Sequence, residues 1–127
     1  MQNSDEQLKK ALCKELNCLR YHGSFPTVWL DQNKQWNGRV TNREWSWIMS
    51  EVEKKLSTSG SVEFQGSRYG SQTSLFVCLL AALVSGEKLG EWQMPAFGMG
   101  CELIFKIATA PWQTRAIAYF ATIGKTI

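Results

Sequence analysis

At 127 residues the chain has the length of one domain, enough to bury a core unaided and too little for two. Its 44% apolar and 20% charged residues are ordinary for a folded protein and exclude wholesale disorder. A net charge of +3 permits an anionic partner without arguing for one, because dedicated nucleic-acid domains are far more basic.

A first helix is expected from a capping box, in which Ser4 accepts from the backbone at Gln7 and Gln7 reaches back. Leu8, Leu12, Leu16 and Leu19 then share one face, His22-Gly23 ends the helix and Pro26 prevents its resumption. The same opening segment carries Asp5, Glu6, Lys9 and Lys10 where a signal peptide needs an apolar run, so a cytoplasmic location is expected.

Val28, Trp29 and Leu30 read as a short strand or an extended plug, followed by the turn-prone stretch 31–38. A second capping box, Thr41 with Glu44, opens the clearest helix of the chain. Its buried stripe is Trp45, Ile48, Met49, Val52 and Leu56, from which Trp47 falls away. Segment 57–71 is rich in serine and glycine, with Val62, Phe64 and Tyr69 alternating weakly. A mobile loop is its simpler reading and a hairpin the alternative.

Ser71 or Thr73 caps a third helix that runs to about Ser85 and stops at Gly86. Its apolar run from Leu75 to Val84 is half of the ~20 residues that a bilayer requires, so it predicts a central helix surrounded by others. After Pro95 and Gly98-Met99-Gly100, a fourth helix is expected from Cys101 to Ala108. Pro111, at a first helical position, starts a fifth. Trp112, Ala116, Tyr119, Phe120 and Ile123 share a face of that helix and Gly124 terminates it. The fold class that follows is all-α: one domain over 1–127, a compact bundle of about five helices around a central apolar helix at 72–85. A short β-hairpin at 25–40 or 61–70 is the open point.

Local motifs argue against most chemistry. Gly124-Lys125-Thr126 resembles the end of a phosphate-binding loop, but Tyr119 stands where the first glycine belongs. Gly98 and Gly100 lack a third glycine, Leu103 occupying its place, so no dinucleotide site is expected. Cys13, Cys18 and His22 offer three metal ligands without a fourth, and on a helix Cys13 lies about 140° from Cys18. The four cysteines, Cys13, Cys18, Cys78 and Cys101, form no C-x-x-C pair and are expected to be reduced thiols that pack as small hydrophobes. With one histidine in the chain, no nucleophile–base–orienter set is legible, and pairs such as Glu51 with Glu53 or Glu87 with Glu91 read as solvated charges. No cofactor and no metal are expected.

Six tryptophans exceed what a core of this size needs, so some are expected at an interface. The constellation to single out is Lys34, Trp36, Arg39, Arg43 and Trp47, interleaved with Asn33, Asn37 and Asn42 and free of acidic residues between Asp31 and Glu44. Basic groups beside exposed indoles suit either a protein hot spot or a phosphate backbone with stacked bases. The expectation is therefore a non-catalytic binding or regulatory module that docks onto a larger protein or complex through these residues. A small nucleic-acid-binding protein, or the small subunit of a nucleoprotein assembly, is the alternative, and an enzyme whose site is assembled across the fold is the second alternative. No membrane partner is expected, and the oligomeric state is left open.

Overall fold

A computed structural model describes residues 5–15, 28–30, 34–36, 42–88 and 100–125. The described chain is mostly helical. In chain order it comprises α1 (Asp5–Glu15), β1 (Val28–Leu30), β2 (Lys34–Trp36), α2 (Asn42–Glu53), β3 (Val62–Phe64), β4 (Ser67–Tyr69), α3 (Gln72–Val84), α4 (Cys101–Ala108) and α5 (Trp112–Ile123). Among the described residues no helix is long and apolar enough to cross a membrane. The chain divides into two compact units, Met1–Lys55 with Ile127, and Leu56–Thr126. Each is taken in turn.

In the first unit α1 packs against α2. Leu8 and Leu12, one turn apart, are buried together with Cys13, while Leu16, Leu19 and the capping Ser4 lie outside the described residues. The α2 stripe is buried as its period requires: Trp45, Ile48, Met49 and Val52 are each 2% exposed or less. Leu56, the fifth residue of the expected stripe, is buried too but belongs to the second unit. The Lys55 ammonium donates to the carbonyl of Glu15, the last residue of α1. β1 and β2 pair antiparallel in the register Val28 with Trp36, Trp29 with Gln35 and Leu30 with Lys34. Segment 25–40 therefore contains a hairpin, and the strand reading of Val28 to Leu30 is the one realised.

In the second unit, segment 61–70 is a hairpin and not the loop that its composition favours: β3 pairs with β4, Val62 opposite Tyr69, Glu63 opposite Arg68 and Phe64 opposite Ser67. Two residues make the turn, Gln65 at φ 49° and Gly66 at φ 82°. Positive φ at both turn positions gives the backbone twist that lets two right-twisted strands meet across a two-residue loop. Packing of both strands on α3 supplies the apolar contact that a short isolated hairpin lacks.

Ser71 caps α3, its Oγ accepting from the Ser74 N–H at 3.1 Å. The preceding chain is clipped to the same turn, with the Thr73 N–H and Oγ1 both donating to the Ser57 carbonyl (3.1 and 3.0 Å) and the Ser57 N–H donating to Gln72 Oε1 (2.9 Å). Leu75, Phe76, Leu79, Leu80, Ala81 and Ala82 are buried, and within its unit α3 meets α5, α4 and the hairpin. An apolar helix buries what its neighbours cover, and the described neighbours of α3 leave Val77 and Cys78 half-buried and Ser74 exposed.

α5 starts one residue later than expected. Pro111 stands just outside the helix at φ −58°, ψ 153°, and Trp112 is the first helical residue. Its buried face holds Trp112, Ala116, Ala118, Tyr119, Phe120 and Thr122, with Ile123 half-buried. The Thr122 hydroxyl is satisfied inside the helix, donating to the Ala118 carbonyl at 2.7 Å. Arg115 ties three helices together: its guanidinium lies 5.7 Å from the centroid of the Phe76 ring on α3, and its Nη1 donates at 2.7 Å to the Ile107 carbonyl at the end of α4. Gly124 closes α5 in the left-handed region at φ 73°, where a side chain would be strained.

Candidate functional site

On α2 the two tryptophans two residues apart have opposite fates. Trp45 is 1% exposed, whereas Trp47 is 44% exposed. An α-helix turns about 100° per residue, so Trp47 sits about 200° from Trp45, on the face opposite the filled stripe. Position 43 lies one turn before Trp47 on that same face, as do Ser46 and Ser50, both exposed. Arg43 and Trp47 are thus neighbours by helical register.

Lys34 and Trp36 fall on β2 two residues apart, which places both positions on the same face of that strand. Arg39 lies outside the described residues, as do Asn33 and Asn37. The constellation is therefore seen as two local pairs, Lys34 with Trp36 and Arg43 with Trp47. Each is set by the period of its own element.

A second feature was not legible in the sequence. At the N-terminal end of α3 a cavity of about 350 Å³ is lined by Thr58, Ser71, Thr73, Ser74, Val77 and Cys78. Its hydroxyls are largely committed to the protein: Ser71 Oγ bonds Ser74 Oγ at 3.2 Å as well as the Ser74 N–H, and Thr73 Oγ1 bonds Ser57. The one titratable group in the wall is Cys78, and burial pushes its thiol up from the ordinary cysteine value. A raised thiol is protonated at neutral pH and a poor nucleophile, and among the described lining residues there is no general base to activate it.

The third feature is the outer face of α4. None of its residues is buried, and Ile104 and Phe105 are 53% and 67% exposed. A helix is expected here from Cys101 to Ala108, with Glu102 and Lys106 marking a charged side of it, but spacing does not say which apolar residues are left uncovered. Cys101 at its start is exposed, Cys78 half-buried and Cys13 buried. All three are free thiols, while Cys18 and His22 lie outside the described residues.

Comparison with protein-family models, with curated proteins and with solved structures finds no match to the chain.

Proposed function

We propose that this protein is a non-catalytic binding and regulatory module that docks, in the cytoplasm, onto a larger protein or complex. The docking surface of this proposal includes Lys34, Trp36, Arg39, Arg43 and Trp47, and residues 1–127 act as one helical-bundle domain. The observation that carries the reading is Trp47, a large aromatic 44% exposed on the face of α2 opposite a buried stripe that other residues already fill. Exposed tryptophan beside arginine is the composition of protein hot spots, where a few aromatic and guanidinium groups supply most of the binding energy. The buried stripe of the helix is filled by Trp45, Ile48, Met49 and Val52.

Lys34 and Trp36 on one face of β2 favour a second reading, a small nucleic-acid-binding protein or nucleoprotein subunit. Cations would neutralise phosphates there while indoles stack on bases.

Affinity capture of partners from the native host, with and without nuclease, tests both against the variants Trp47→Ala and Arg39→Glu/Arg43→Glu. The module reading expects a nuclease-resistant partner that Trp47→Ala releases, with binding only weakly dependent on salt. A nuclease-sensitive partner, released by the charge reversal and bound with a steep salt dependence, replaces it with the nucleic-acid reading. Partners retained by both variants would remove this surface from the function altogether. The Trp47→Ala protein should remain folded, because an exposed substitution away from caps and the core changes stability by about 0.5 kcal/mol or less.

A further inference from the structure

We draw no further inference here: the strongest candidate, the exposed face of α4 formed by Cys101, Ile104, Phe105 and Ala108, is a bare apolar surface patch, and nothing in the structure shows what covers it.

Discussion

The Lys9 ammonium on α1 lies 5.6 Å from the centroid of the Trp45 ring on α2, so a surface cation covers the face of a buried indole. Lys9 is half-buried and Trp45 is 1% exposed, which means the lysine stem packs on the ring while its charge meets the electron-rich face. This contact adds to the apolar packing of α1 on α2 through the Leu8 and Leu12 face.

Two substitutions separate its parts. Lys9→Met keeps the stem and removes the charge, and should lower stability by ~0.5–1 kcal/mol, the size of a partly exposed cation–π contact. Lys9→Ala removes both and should cost more. Chemical denaturation monitored by tryptophan fluorescence measures the difference. Equal stability of Lys9→Met and wild type would show that the lysine acts through its methylenes alone.

Leu79 and Leu80 on α3 are 1% and 0% exposed. Truncation to alanine at either site removes buried methyls and leaves a cavity, at a cost of ~2–5 kcal/mol. Domains of this size have ~5–15 kcal/mol in total, so each variant should melt many degrees below wild type. Phe105→Ala, on a side chain 67% exposed, provides the control and should melt close to wild type. Small shifts in both leucine variants would contradict the burial of these two side chains in the core of their unit.

The thiols should react in an order set by exposure. Cys101 is exposed and should be alkylated first in the native protein. Cys78 is half-buried with a raised pKa and should follow, and buried Cys13 should react only on opening or unfolding. Full denaturation should release all four cysteines of the sequence to the reagent. The sign of the pH effect follows from Cys78: a thiol raised in the folded state binds its proton more tightly there than in the unfolded chain. Its contribution to stability is present below the unfolded-state thiol pKa and is lost as pH rises through the higher folded value. Cys78→Ala should flatten that alkaline loss. An unchanged slope would place its origin elsewhere.

Much of this architecture was legible residue by residue, because it is local. The four-residue step from Leu8 to Leu12 and the Trp45–Ile48–Met49–Val52 period mark the faces that are buried. Ser71 caps α3 through a hydroxyl that accepts from the backbone N–H three residues on, and Gly124 ends α5, because both signals act within one turn. Trp47 falls off its stripe for the same reason. Such features depend on spacing along the chain, and spacing is what a sequence states outright.

Other features depended on what the rest of the chain brings alongside. The 61–70 segment has the composition of a loop, and it pairs as a hairpin because α3 offers its strands a surface to pack on. Lys9 reaches Trp45, 36 positions away, only once α1 lies on α2. The spacing of Trp112, Ala116, Tyr119 and Phe120 marks the 112–123 helix, yet nothing near Arg115 in sequence says that it spans Phe76 and the Ile107 carbonyl. α4 shows the division most clearly. Apart from the side held by Glu102 and Lys106 its residues are apolar, and only packing decides that Leu103 and Ile107 are half-buried while Ile104 and Phe105 are exposed. Periodicity determines which residues share a face. Whether that face is covered is settled by burial against distant elements, since the hydrophobic effect rewards any apolar neighbour and names none.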